Sequence, residues 1–237
     1  MQSEVAQLPI SHRLWAWFET NRKPTLIGIL IAALVGLVIW VVVWRQQEKR
    51  VAAGDAVSDV AARLMSGTPR SELAGAYLKV AANYPNSSPG ARALLLAAAS
   101  LFADGKFNEA QAQFEKFTRE YRDTPFTGQA LLGVAASLDA QGKAEAAITA
   151  YKNLVDRHPS DIVVPQAKFA LARLYEAQGK PELAKDLFQD VERGSPFSSL
   201  GNEAGMRLEE LIAKYPALAP APPPPSTNSP LKLLQKQ

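Results

Sequence analysis

The sequence predicts an all-α protein in which one N-terminal transmembrane helix is followed by a solenoid of helical hairpins. The first observation is a stretch of 20 residues without a charged side chain, from Thr25 to Trp44. The second is a residue pattern that returns every 37 residues through the middle of the chain. Self-similarity at a period of about 20 to 50 residues is typical of stacked supersecondary units, each of which contacts its neighbours.

The first two predicted segments are an N-terminal tail, residues 1–24, and a transmembrane anchor, residues 25–44. As a helix with a rise of about 1.5 Å per residue, the anchor reaches roughly 30 Å, which is one bilayer crossing. Trp40 and Trp44 lie at its far end, where aromatic residues favour the membrane interface. A cleaved signal peptide would have a shorter apolar region and a prompt cleavage site, whereas here RQQEKR precedes Val51. The sequence therefore favours an uncleaved anchor.

The charges that flank the anchor leave its orientation open. Three basic residues lie on each side, namely Arg13, Arg22 and Lys23 before it and Arg45, Lys49 and Arg50 after it. The positive-inside rule needs an imbalance of such charges. The side of the membrane on which the repeats lie is not decided by charge.

The repeating unit reads as a hairpin of two helices, here described for residues 128–161. Apolar residues recur at helical spacing up to Gly142, and a second helical face runs through Ala147, Tyr151 and Leu154. Gly142 supplies a positive φ that ends the first helix, and Pro159 cannot continue the second. The same pattern gives four units, at residues 54–87, 91–124, 128–161 and 165–198.

These positions resemble the tetratricopeptide repeat, whose signature has small residues at two positions, a large aromatic residue and a closing proline. The matching residues are Ala61, Ala98, Ala135 and Ala172 in the first helix, Ala110, Ala147 and Ala184 in the second, the aromatics Tyr77, Phe114, Tyr151 and Phe188, and Pro85, Pro159 and Pro196. Leu73 and Arg122 depart from the pattern, and no unit carries the family's first-helix tryptophan.

Two segments complete the chain after the repeats. Residues 200–215 are predicted to form one amphipathic capping helix, because a solenoid needs a cover over its open stacking face. The solenoid domain is accordingly set at residues 45–216. Residues 217–237 contain the run ALAPAPPPPSTNSP and are predicted to form an extended, disordered, proline-rich tail.

Composition excludes several classes of function. Although the isoelectric point is about 9.1, residues 51–216 carry 18 basic against 20 acidic side chains, so the repeats offer no phosphate-tracking surface and no nucleic acid is expected. The sequence has no cysteine and two histidines, His12 and His158, which lie far apart. We therefore expect no catalytic residues, no metal site, no cofactor and no small-molecule substrate, and interpret the chain as a non-enzyme.

The resemblance to tetratricopeptide repeats implies a peptide groove lined by the first helix of each unit. Transferring the family positions gives Arg92, Leu95, Phe102, Gln129, Leu132, Asp139, Gln166, Phe169, Arg173 and Glu176, of which Leu95 and Leu132 could equally belong to the core. The set lacks the Lys, Arg and Asn cluster with which some family members clamp a terminal carboxylate. The expected ligand is therefore an extended, partly hydrophobic polypeptide or a partner subunit.

One anchor followed directly by about four repeats, with the boundary Tyr84-Pro85-Asn86-Ser87, resembles the YfgM-type ancillary subunit of the bacterial SecYEG translocon. The resemblance implies a single-pass protein of the bacterial inner membrane, with a cytoplasmic N-terminus and periplasmic repeats. Its implied partners are translocon subunits, a membrane-anchored periplasmic chaperone or emerging polypeptides, and the lipid bilayer through residues 25–44. The proline-rich tail is not part of that pattern.

Two alternatives stay open at this point. The cell-division coordinator (CpoB) family of the envelope has similar repeats, but it is expected to have a cleaved signal and an N-terminal coiled coil, which this sequence lacks. A cytoplasm-facing scaffold of another membrane complex is permitted by the balanced flanking charges.

Overall fold

The computed structural model describes residues 22–122 and 124–219, and all regular structure in this part of the chain is helical. Its nine α-helices are α1 (Arg22–Met65), α2 (Arg70–Asn83), α3 (Ser88–Ala103), α4 (Phe107–Glu120), α5 (Thr127–Ala140), α6 (Ala144–Arg157), α7 (Val164–Ala177), α8 (Pro181–Gly194) and α9 (Ser199–Lys214). The predicted all-α fold is confirmed. Residues 1–21 of the predicted N-terminal tail and residues 220–237 of the proline-rich tail lie outside the described residues.

Four hairpins follow one another, formed by the end of α1 with α2, α3 with α4, α5 with α6, and α7 with α8. The turn inside each hairpin contains a glycine with positive φ, at Gly67 (81°), Gly105 (76°), Gly142 (73°) and Gly179 (69°). A Cβ in this left-handed region meets the following carbonyl oxygen, so glycine is the residue that ends the first helix of a hairpin without strain. The turn predicted at Gly142 is therefore confirmed, and it recurs in every hairpin.

Helix α1 is a single uninterrupted helix from Arg22 to Met65. Its first half is apolar and exposed along the predicted anchor, whereas Ala53, Val57 and Val60 on its second half are buried against α2 and α3. The hydrophobic segment and the first helix of the first hairpin are thus one element. The boundary predicted at residue 45 falls inside a helix and not at a linker.

The core is divided into four clusters along the chain, each shared between neighbouring hairpins. In the second cluster Phe114 and Phe117 of α4 pack against α5, where the ring of Phe114 lies over Gly133. Tyr151 and Leu154 pack in the same way between α6 and α7. Phe188 and Val191 pack in the same way between α8 and α9. The repeating aromatic of the sequence pattern is therefore the residue that joins one hairpin to the next.

The packed fold extends beyond the capping helix α9, which ends at Lys214. A 3₁₀ turn, Pro216–Leu218, folds back so that Leu218 is buried in the last core cluster. The Lys185 Nζ atom donates a hydrogen bond of 2.8 Å to the Leu218 carbonyl oxygen. The prediction that the chain leaves the packed fold at residue 217 is wrong for Leu218, because its side chain fills apolar space that the end of the solenoid leaves open.

Candidate functional site: the groove lined by the first helices

At every step of the solenoid except that from α5 to α7, the first helices of consecutive hairpins approach one another more closely than the second helices do. Contacts join α1 with α3, α3 with α5, and α7 with α9, while the second helices of consecutive hairpins lie farther apart. A stack of hairpins that is narrower on one side curves toward that side. The first helices therefore form the inner wall, and we call their solvent-facing surface the groove.

The repeat places two rows of groove residues at equal register. One row is Ala62, Ala99, Ala136, Arg173 and Glu209, and the other is Met65, Phe102, Asp139, Glu176 and Ile212. Successive members of each row are 37 residues apart, except for the last step of each row, which is 36 residues from Arg173 to Glu209 and from Glu176 to Ile212. The half formed by α1, α3 and α5 is mainly small or apolar, and the half formed by α7 and α9 carries most of the charge.

Nine of the ten groove residues predicted from the sequence have solvent-accessible side chains. Arg92, Gln129, Gln166 and Arg173 are exposed, and Leu95, Phe102, Leu132, Asp139 and Glu176 are half-buried. Leu95 and Phe102 pack on the α3–α4 cluster, and Leu132 packs on the α6–α7 cluster, while each keeps part of its surface open. These leucines contribute to both the core and the groove, so neither of the two alternatives describes them alone.

Phe169 is the exception, because its side chain is only 8% exposed. Its ring packs edge-on against Phe188 of α8, with centroids 5.5 Å apart. The register is that of Leu95 and Leu132, but the longer aromatic side chain reaches between the helices into the last core cluster. The prediction of Phe169 as a ligand-contacting residue is wrong in the structure, where it is a core residue.

Sequence reasoning missed three alanines and one methionine in the first half of the groove, and Glu209 and Ile212 of α9 in the second. Ala62, Ala99 and Ala136 form a row of short side chains in the first three hairpins, and Met65 at the end of α1 is 90% exposed. The signal that could have found them is the 37-residue period, which relates Met65 to Phe102 and Ala99 to Ala136. Small side chains in this row leave room for a bound chain to approach the helices.

A hollow of about 350 Å³ opens at the start of this apolar half, between α1 and α3. Its lining is mainly apolar with a few polar side chains, and consists of Gly54, Val57, Ser58 and Ala61 of α1, Ser88, Pro89, Arg92 and Leu96 of α3, and Phe126 of the loop before α5. The helix start is fixed locally, since the Ser87 side chain accepts a hydrogen bond of 3.0 Å from the Gly90 N–H and caps α3. The hollow can hold an apolar side chain of a bound polypeptide.

One ion pair joins two helices in the other half of the groove. The Glu176 carboxylate on α7 lies 3.8 Å from the Lys214 ammonium on α9. Asp139 and Arg173 lie close enough to buried Tyr151 to act on it. Burial raises the pKa of Tyr151 above its usual value, the Asp139 carboxylate raises it further, and Arg173 acts in the opposite direction.

The chemistry of the described residues is that of a binding surface. No group of three histidine or acidic side chains suited to a metal ion occurs in the described ranges. His158 ends α6, where its N–H donates a 3.0 Å hydrogen bond to the Leu154 carbonyl oxygen. Ser137, which is fully buried, donates a 2.7 Å hydrogen bond to the Gly133 carbonyl oxygen within its own helix. Both residues have structural contacts.

Stacked helical hairpins with an inner groove define the class of helical repeat solenoids that bind other proteins. Residues 15–150 match the model of the tetratricopeptide repeat-like domain, and residues 137–199 match the tetratricopeptide repeat. The chain belongs to the tetratricopeptide repeat-like domain family. Its repeats indicate a protein–protein interaction scaffold, and this repeat fold is typically non-catalytic.

Several solved structures of bacterial proteins are similar to this chain. A tetratricopeptide repeat protein from Parabacteroides merdae is 15% identical, with a TM-score of 0.55 over 69% of this chain and 61% of that one. MamA from Desulfovibrio magneticus RS-1 is 15% identical, with a TM-score of 0.54 over 68% and 85%. PcrH from Pseudomonas aeruginosa is 21% identical, with a TM-score of 0.48 over 53% and 94%. The comparison with curated proteins gave no match.

Proposed function

We propose that the chain is a membrane-anchored interaction scaffold whose groove binds an extended, partly apolar polypeptide, and that it acts as an ancillary subunit of the SecYEG translocon. The observation that carries the proposal is the continuity of α1, which joins an apolar segment of membrane-spanning length to the first groove helix without a linker. A ligand in the groove is thereby held close to the membrane surface, where a secreted chain or a membrane-anchored chaperone would be met.

Two features support an uncleaved anchor over a signal peptide. Cleavage after Ala53 would cut the chain within α1 and next to a fully buried residue of the first hairpin. It would also leave Val57 and Val60, which pack against α2 and α3, within the first turns of a new N-terminus. Helix ends fray, so this packing is better maintained by the intact helix.

The topology test uses the absence of cysteine from the sequence. One cysteine is introduced at Ser3 or at exposed Ser199, and intact cells are treated with a membrane-impermeant maleimide. Labelling at position 199 alone places the repeats outside the cytoplasm and supports the translocon proposal. Labelling at position 3 alone reverses the topology and makes a cytoplasm-facing scaffold the better proposal.

The groove is tested by site-specific crosslinking in the full chain. Phe102→Glu puts a charge into the apolar half of the groove and is expected to abolish crosslinks to partner chains. Ala112→Glu, on an exposed position of α4 in the same hairpin, is the matched control and should leave the crosslinks unchanged. Equal crosslinking by both variants, with unchanged helicity, would contradict the groove as the binding surface.

A further inference from the structure

The direction of α1 gives the solenoid a side that faces the membrane. This inference rests on the proposed anchor. Because each hairpin returns the chain to its starting side, α3, α5, α7 and α9 run in the same sense as α1. The loops that precede these four helices therefore point back along α1 toward the anchor, and we call them the membrane-side rim. The turns at Gly67, Gly105, Gly142 and Gly179 form the opposite rim.

Two large apolar side chains project from the membrane-side rim without a packing partner. Phe197, in the loop before α9, is 99% exposed, and Ile162, in the loop before α7, is 82% exposed. On the opposite rim, Met65 at the end of α1 is 90% exposed and Leu183 at the start of α8 is 46% exposed. Keeping such side chains in water is unfavourable in proportion to their exposed apolar area. Phe197 and Ile162 would therefore gain from a nonaqueous contact, and the direction of α1 places these two residues, but not Met65, on the side of the anchor.

The charges of the same rim are balanced. The last turns of α4, α6 and α8 and the described loop residues carry Arg119, Arg122, Arg157 and Arg193 against Glu120, Asp156, Asp161 and Glu192. The Asp161 Oδ1 atom also accepts a 3.2 Å hydrogen bond from the Val163 N–H. A surface of this kind is not drawn to anionic lipids by net charge, so any lipid contact depends on the apolar side chains.

The height of the rim above the bilayer is within reach of a tilted anchor. Ten residues of helix separate Trp44 from Gly54, so a perpendicular α1 holds the rim about 15 Å above the hydrocarbon, and the headgroup layer fills roughly 6 Å of that distance. Four helix-to-helix steps of about 9 Å place the loop before α9 at most roughly 36 Å to the side of α1, because the stack of hairpins curves. A tilt of about 20°, which is average for membrane helices, lowers that loop by roughly 12 Å.

We propose that the membrane-side rim rests on the phospholipid surface, with Phe197 and Ile162 inserted among the headgroups. The solenoid then lies against the bilayer on one rim while the groove stays open beside it. The apolar side chains act as a second attachment in addition to α1, and they fix the tilt of the solenoid.

The test places an environment-sensitive NBD probe on single cysteines in the full chain reconstituted in phosphatidylcholine vesicles that contain headgroup spin-labelled lipid. Cysteines replace Phe197, Ile162, Leu183 and, as a report on the anchor, Trp44. Probes at positions 197 and 162 are expected to be quenched at least about 2-fold more than the probe at position 183. Phe197→Asp should reduce quenching of the probe at 162, with circular dichroism unchanged because Phe197 has no packing contact to lose.

The outcomes separate this inference from the proposed function. Quenching at position 44 together with equal, weak quenching at 197, 162 and 183 overturns the rim contact and leaves the anchor standing. Absence of quenching at position 44 overturns both. Quenching at 197 that appears only with added phosphatidylserine contradicts the apolar contact, because a balanced rim should respond equally to neutral vesicles.

Discussion

The two halves of the groove are built on the same repeat. Residues at equivalent repeat positions nevertheless have different environments in the two halves. In the α3–α5 half, Leu95 and Leu132 stay half-buried, and the row beside them is alanine. In the α7–α9 half, the equivalent Phe169 is withdrawn into the core, and Arg173 and Glu176 take over the surface. The repeat therefore fixes the backbone position from which a side chain extends. The size of that side chain and its neighbours determine whether it lines the groove or packs in the core.

The largest effect on stability should come from truncating to alanine the two phenylalanines that were both predicted to line the groove. Phe169→Ala removes a ring packed against Phe188 and is expected to lower the free energy of unfolding by about 3–5 kcal/mol. Phe102→Ala, which contacts Phe107 but remains half-buried, should cost about 1–2 kcal/mol less. Urea unfolding followed by circular dichroism measures both, and equal losses would contradict the assignment of Phe169 to the core.

Replacing one glycine in each half by alanine is expected to have a smaller effect on stability, with opposite sign in the two halves. A Cβ at Gly133 of α5 would lie 2.5 Å from the Phe114 ring, so Gly133→Ala should destabilise by about 1–3 kcal/mol through overpacking. At Gly205 of α9 the nearest atom, 3.2 Å away, is the end of the flexible Glu192 side chain. Gly205→Ala should therefore stabilise the fold by about 0.5–1 kcal/mol through helix propensity. Thermal unfolding of the two variants measures both changes, and a change of the same sign in both would contradict the prediction.

The charged half should respond only weakly to loss of its ion pair. Lys214→Ala removes the 3.8 Å contact with Glu176, and since Lys214 is exposed, the expected change is below about 1 kcal/mol. The variant should also lose any dependence of unfolding on salt that this pair contributes. A loss above about 2 kcal/mol in unfolding experiments would show that the pair does more than an exposed contact can.

Removal of the Tyr151 hydroxyl is expected to have the smallest effect on stability at neutral pH. Its effect should become measurable at alkaline pH. Because burial, reinforced by Asp139, raises the pKa of Tyr151, the folded state holds this proton more tightly than the unfolded state does. That stabilisation is complete below the unfolded value of about 10 and is lost as pH rises toward the folded value. Tyr151→Phe should flatten the fall in unfolding midpoint above pH 10, and an unchanged slope would argue against the shift.

Much of the fold was predictable because its determinants are local and repeated. Glycine at the hairpin turns, the joining aromatics such as Tyr151, and the capping helix each follow from backbone geometry or periodic burial. The continuity of the predicted anchor and the first hairpin as one helix was less predictable. The sequence indicated that the repeats follow the apolar span directly, but nothing in RQQEKR shows that a single helix runs through both.

The site was less predictable than the fold. Register gave the position of Phe169 but not its contact with Phe188, which depends on how two helices from one hairpin approach. Register would have given Met65 if the groove positions had also been transferred to the first unit, residues 54–87. Leu218 was missed because the predicted tail was judged by its proline-rich composition as a whole. That composition does not describe the single leucine that stands before the run of prolines.

The turn Pro216–Leu218 also limits how the protein can assemble. Pro216 stands one period after Gly179, and Leu218 stands one period after Pro181, where every preceding hairpin begins its second helix. The array thus starts a fifth hairpin and closes it with a single buried leucine. Head-to-tail growth into filaments requires an open stacking face at each end. Leu218 covers part of the stacking face beside α9, so that end of the solenoid offers less open surface for such growth.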